Sequence, residues 1–188
     1  SVTYEREKFT AKAKVNYFYM MDYMVGKIRE NVPSMNITAN GIKVYEQLNN
    51  AHLFNSSLSL NYNFIEHWNL GGDASYRYGQ GAKNTVLPLI QPFSYKIRVR
   101  YEQNSFYAET SVEGSTKNRN SIEFGETQKS AYAITNLALS KSFSFGKQDL
   151  ILKAGVENLF NRYYSTFDDW FGIPRMGRNI YANVIYRF

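Results

Sequence analysis

The chain has 188 residues, enough for one domain with a core, and no cysteine, which excludes a disulfide framework and thiolate metal sites. Its net charge of +6 comes from Lys and Arg dispersed among Asp and Glu rather than gathered in runs, which argues against a nucleic-acid partner. Mean hydropathy is −0.45 and there is no apolar run of ~18 residues, which excludes a membrane-crossing helix but not strands whose alternation hides an apolar face.

The start, Ser1-Val2-Thr3-Tyr4-Glu5-Arg6, has no apolar stretch of signal-peptide type, as expected of a mature or truncated product. Beyond it, period-two alternation predicts eight strands: Lys8–Met21, Ile42–Phe64, Trp68–Tyr78, Pro92–Tyr101, Phe106–Val112, Tyr132–Phe143, Leu150–Phe160 and Arg178–Phe188. In the first, Phe9, Ala11, Ala13, Val15, Tyr17 and Tyr19 alternate with Lys8, Thr10, Lys12, Lys14 and Asn16. In the fourth, Phe93, Tyr95, Ile97, Val99 and Tyr101 alternate with Ser94, Lys96, Arg98 and Arg100. The sixth is the weakest, because Lys141 falls on the face of Leu137, Leu139 and Phe143. In the last, Ile180, Ala182, Val184, Tyr186 and Phe188 share one face, an apolar edge that a water-soluble domain rarely exposes.

Two features separate a membrane barrel from a soluble sandwich. The large rings of the apolar face stand at strand ends, with Phe9, Phe64, Trp68, Tyr101, Phe106, Phe143 and Phe188 at one end and Tyr17, Tyr19, Tyr76, Tyr78, Phe93 and Tyr95 at the other. A sandwich core puts its largest side chains centrally, whereas two girdles around an aliphatic band is the lipid-facing arrangement. The connections alternate between long and short, as in outer-membrane barrels with long extracellular loops and tight periplasmic turns. The expected fold is therefore an all-β, antiparallel transmembrane β-barrel, with the chain beginning and ending on the periplasmic side. Lys141 lies two residues from the periplasmic end of its strand, where a lysine on the lipid face costs only ~0–1 kcal/mol because its ammonium reaches the headgroups.

In the C-terminal third the pattern becomes specific. Ala154-Gly155-Val156-Glu157-Asn158-Leu159-Phe160-Asn161-Arg162-Tyr163-Tyr164 resembles the penultimate strand and turn of TonB-dependent outer-membrane receptors. Ile173-Pro174-Arg175-Met176-Gly177-Arg178-Asn179-Ile180-Tyr181, ending in Tyr186-Arg187-Phe188, resembles their last strand, with Met176 where the family usually has proline. Leu87-Pro88-Leu89-Ile90-Gln91-Pro92 also looks like the late barrel of that family. The resemblance implies a Gram-negative outer-membrane importer of a scarce nutrient such as an iron-siderophore, haem or cobalamin, with a barrel of about 22 strands closed by a plug. At roughly 23 residues per strand such a barrel needs about 500 residues, so residues 1–188 are expected to be its last eight strands. The partners this implies are the remaining barrel and plug, lipid and lipopolysaccharide, a TonB-type coupling protein acting through an N-terminal segment, and possible surface lipoproteins. The alternative is a complete eight-stranded barrel acting as anchor or adhesin, its interior just filled by side chains.

No catalytic constellation stands out, and no cofactor or enzymatic role is expected. Lys12, Lys14, Asp73, Arg77, Lys96, Arg98, Arg100, Glu109, Glu113, Lys153 and Glu157 are expected to face the lumen as a solvated wall or a plug-facing surface. The final loop supplies the ligand-binding candidates Tyr163, Tyr164, Phe167, Asp168, Trp170 and Arg175, since rings with a few charges on an extracellular loop can stack on a planar ligand. Asn158 reads as a turn residue rather than a ligand contact. Met20, Met24 and Met35 are soft ligands of the Cu(I) type, but no cysteine or nearby histidine completes a site, so no metal centre is expected. Haem ligation by histidine is disfavoured, with His67 in a periplasmic turn and His52 pointing outward.

Overall fold

The computed structural model describes residues 1–30, 32, 41–118, 124–169 and 173–188. They form one antiparallel sheet of nine strands, each bonded to the next in chain order. The strands are β1 (Val2–Arg6), β2 (Phe9–Arg29), β3 (Ile42–Ile65), β4 (Trp68–Gly81), β5 (Ser94–Gln103), β6 (Phe106–Ser115), β7 (Tyr132–Phe145), β8 (Gln148–Glu157) and β9 (Asn179–Arg187).

The sequence reading missed β1. It is only 5 residues long and carries Glu5 and Arg6, too little alternation to register. It pairs with β2 from Arg6↔Phe9 up to Val2↔Ala13, so Ser1 lies part-way along the sheet rather than at its short-turn edge. β2 also continues to Arg29, past the predicted end at Met21, pairing with β3 throughout. β8 stops at Glu157 rather than Phe160, because Asn158 takes a left-handed φ of 50° that a strand cannot carry on from. Among the described residues β1 and β9 do not pair with each other. The open sheet weighs against a closed eight-stranded barrel.

At one end four tight turns join the strands, between the pairs Arg6↔Phe9, Ile65↔Trp68, Gln103↔Phe106 and Phe145↔Gln148. Asn104 and Ser105 sit at φ 46° and 63°, the twin positive values of a type I′ hairpin turn, whose twist matches the flanking strands. All longer connections lie at the other end.

Register fixes two faces. On the apolar face, at the short-turn end, rings follow one another from Tyr4 through Phe9, Tyr62, Phe64, Trp68 and Tyr101 to Phe106, with centroids 5.0 to 6.5 Å apart. At the long-loop end of the same face, Tyr17 and Tyr19 gather round His52, and Phe54 meets Tyr76. Between the two rows the side chains are aliphatic and open to the surroundings, Ile97 at 52% and Val184 at 70% exposure. Lys141 shares this face and reaches the turn, donating to the Asn104 carbonyl at 2.9 Å. A single sheet has no second layer to cover such a face.

The small core lies elsewhere, at the long-loop end. Val25, Ala51, Leu87 and Phe124 are buried there, with Met20, Tyr23, Leu48, Leu53 and Ile90 packed against them. Strict alternation would put Tyr23, Val25 and Leu48 on the face opposite Met20, Ala51 and Leu53. Asp22, at φ 54°, breaks the alternation without a register slip, which brings both sets into one cluster.

Candidate functional site

The polar face carries the charges in a graded order. On β4 to β6 Asp73, Glu109 and Glu113 are each engaged. Asp73 accepts from the Ser59 hydroxyl and from Arg98 Nη1, both at 2.6 Å, and Arg98 also reaches Asn61 Oδ1 at 3.2 Å. Gly71, paired across from Arg98, makes this possible, because a Cβ there would stand 2.5 Å from the guanidinium Nε. Glu109 takes Arg100 Nε at 3.1 Å, Arg100 Nη2 at 2.9 Å and the Tyr107 hydroxyl at 2.7 Å, while Arg100 lies 5.2 Å above the Tyr107 ring. Glu113 pairs with Lys96 at 3.3 Å and accepts from Asn136 at 3.4 Å. Such part-exposed pairs are worth about 0–1 kcal/mol each, so they orient side chains more than they stabilise the sheet.

Elsewhere on this face the balance changes. Lys12, Lys14, Arg77 and Lys153 are exposed and make no side-chain hydrogen bond or ion pair with any described residue. Among the described residues Glu157 accepts only from Asn179, at 3.1 Å. A hollow of about 770 Å³ opens on this face, with Lys12, Lys14, Ser59, Asp73, Lys96 and Glu113 in its lining. Register puts all the wall residues expected from the sequence on one face and leaves that face net positive.

At the long-loop end the connections fasten to one another. The β4–β5 loop folds back, Gln80 bridging to Val86 and the Leu87 amide donating to the Gly79 carbonyl. The Leu89 amide donates to Glu126 of the β6–β7 loop, and Lys129 Nζ donates to the Asp169 carbonyl at 2.6 Å in the final loop. Within that loop Asp169 holds Arg175 by both guanidinium arms, Nε at 2.9 Å and Nη2 at 2.7 Å, and accepts the Thr166 amide at 2.6 Å. Partial burial alone pushes the Asp169 carboxyl up, but the bonds from Arg175 and Thr166 outweigh it and hold the group below the usual carboxylate range. The same pairing raises Arg175 further above its already high value.

The ligand candidates divide accordingly. Tyr164 lies against Tyr132, centroids 4.8 Å apart. With Phe167, Asp168, Arg175 and Glu113 these rings line a hollow of about 330 Å³ where the loop overhangs the polar face. Burial, with Glu113 nearby, raises the Tyr164 hydroxyl above the usual phenol range, so it stays a neutral donor. Tyr163 projects away, 80% exposed. Trp170 lies outside the described residues, as does Met35. Arg175 is held by Asp169 yet stays half-exposed where it lines that hollow. Sequence reasoning passed over Lys129, Tyr132 and Glu126, whose parts depend on contacts between loops far apart in the chain.

Asn158 is only 2% exposed. Its side chain donates to the Arg162 carbonyl and accepts the Arg162 amide, both at 2.8 Å, while its own amide donates to Asn136 at 2.9 Å. It shapes the exit of β8. Met20 packs against the core and Met24 is exposed, so these two do not converge on a common point. His52 lies on the apolar face within 2.6 Å of the Tyr17 hydroxyl, and His67 occupies a short turn.

The same sheet recurs in solved structures. The chain superposes on the copper transporter OprC with a TM-score of 0.77 at 17% identity, over 97% of this chain and 29% of that one. For BauA, the ferric preacinetobactin receptor from Acinetobacter baumannii, the TM-score is 0.68 at 12% identity, over 98% and 28%. For the FrpB iron transporter from Neisseria meningitidis it is 0.67 at 12% identity, over 97% and 29%. The chain has their fold. It spans less than a third of the length of each of these three. No family model and no curated protein sequence matches it.

Proposed function

We propose that this chain is a wall segment of a TonB-dependent outer-membrane receptor, the C-terminal part of a barrel of about 22 strands. The observation that carries the proposal is the apolar face, an exposed aliphatic band between two rows of rings. Phe9 to Tyr19 covers ~34 Å along β2 at about 3.4 Å per residue, or ~26 Å of height at a tilt of about 40°, the height of an outer-membrane apolar band. The likeness to receptors and transporters of copper, iron and a ferric siderophore supports the same reading.

In this reading the polar face lines the lumen and meets the plug, and the tight turns are periplasmic. The fastened long loops form part of an extracellular vestibule. Its cargo is a bulky metal chelate such as an iron-siderophore, haem or cobalamin, held by Tyr164, Phe167 and their neighbours, with Tyr163 as an outer contact and Trp170 of the same loop as a further candidate. Import is driven through the plug by a TonB-type protein. The chain's own part is binding and lining rather than catalysis.

The test uses the full-length protein that carries this chain. It is expected in the outer-membrane fraction, and its loss is expected to abolish energised uptake of one such chelate. Tyr164→Ala together with Trp170→Ala is expected to weaken binding of that chelate by tenfold or more, at about 1.4 kcal/mol per factor of ten. Unchanged affinity for every chelate tried would remove the final loop as the binding element.

A further inference from the structure

The apolar face is not evenly filled. Gly72 lies in its aliphatic band, and a Cβ added there would meet no atom within 4 Å. Leu60 and Ile97 are its cross-strand neighbours, and Phe9, Tyr62 and Leu70 close the end nearer the short turns, leaving a groove of about 410 Å³. The end wall is firm, since the Phe9 and Tyr62 rings meet edge to face at 6.3 Å. Beyond it, Arg6 pairs across from Phe9 on the side of the sheet where Tyr4 touches that same ring at 6.2 Å. Arg6 is exposed and makes no ion pair or side-chain hydrogen bond with any described residue.

We propose that this groove seats one acyl chain of a phospholipid, with Arg6 holding its phosphate. The inference rests on the reading of the apolar face as membrane-facing. The groove presents an almost wholly apolar surface to water, while an alkyl chain regains the dispersion contacts that the missing Gly72 side chain forgoes. Arginine is the side chain suited to bidentate phosphate contact. The groove backs onto the ring row at the short-turn end, with Arg6 just past that row, and this end is the periplasmic side in this reading. Its occupant is therefore an inner-leaflet phospholipid rather than lipopolysaccharide.

The test is photo-crosslinking of the full-length protein in nanodiscs of phosphatidylethanolamine and phosphatidylglycerol, a fraction of both lipids bearing an acyl-chain diazirine. Label is expected to concentrate on the segment holding Leu70 and Gly72, above that on the segment holding Val184 elsewhere in the band. Gly72→Leu is expected to abolish the excess while leaving the label at Val184 unchanged. Ile97→Ala, which widens the groove, is expected to raise it, and it stands in if Gly72→Leu fails to fold. Arg6→Gln is expected to cut the excess severalfold, and no change would overturn the phosphate contact. Equal label at both segments, untouched by the groove variants, would overturn the seat and leave only annular lipid. No label at either segment would instead defeat the membrane reading itself.

Discussion

Single residues carry most of the loop architecture. Asn158 joins β8 to the final loop with a buried amide that both donates to and accepts from Arg162. Asn158→Ala leaves those two backbone groups without a side-chain partner and keeps a left-handed φ that alanine tolerates poorly. A loss of about 2–4 kcal/mol is expected, read as a lower urea midpoint for unfolding of the full-length protein in detergent or lipid. Asp169 gives a pH prediction. Its folded pKa lies below its unfolded value, so its lock on Arg175 and Thr166 contributes stability that is full above about pH 4 and is lost as pH falls through the depressed folded value. Backbone exchange at Thr166 and Arg175, corrected for intrinsic rates, should stay slow from neutral pH to about pH 5 and quicken only in stronger acid. Asp169→Asn should make it fast at neutral pH and remove the acid step.

At the scale of elements, the asymmetry between tight turns and long loops predicts which end faces the cell exterior. Asn118 is a poor reporter, being buried with its side chain bonded to Lys129 and Thr127. Lys117, next to it, is exposed, as is Lys147 in a tight turn. On whole cells a cysteine at Lys117 should react with an impermeant maleimide, and one at Lys147 should react only after the outer membrane is opened. The reverse pattern would invert the topology. Within the strands, Gly155 lies beneath Tyr181, where a Cβ would come within 2.5 Å of that ring and 2.7 Å of the Leu137 carbonyl oxygen. Gly155→Val is expected to cost about 1–3 kcal/mol by overpacking, seen as a lower temperature for loss of the heat-modifiable form on gels.

For the whole molecule, an open sheet is the deciding fact. Among the described residues neither edge strand, β1 or β9, has a second pairing partner, which a barrel must supply and an isolated sheet cannot. Residues 1–188 expressed alone should therefore give aggregate rather than a heat-modifiable monomer, and no energised uptake. A monomeric barrel from these residues would revive the eight-stranded alternative. The sequence by itself determined the strands from Phe9 onward, the two faces and the end with tight turns, because alternation and turn chemistry are local and each strand bonds only its neighbour in the chain. It also placed the charged lumen candidates on one common face, since a side chain's face follows from parity. Only the tertiary structure decided that the alternation breaks at Asp22, that β1 exists and that the sheet stays open. It alone paired Asp73 with Arg98 and Arg175 with Asp169. Those outcomes depend on one backbone dihedral and on meetings between residues remote in sequence, such as Lys129 with Asp169, which no local pattern encodes.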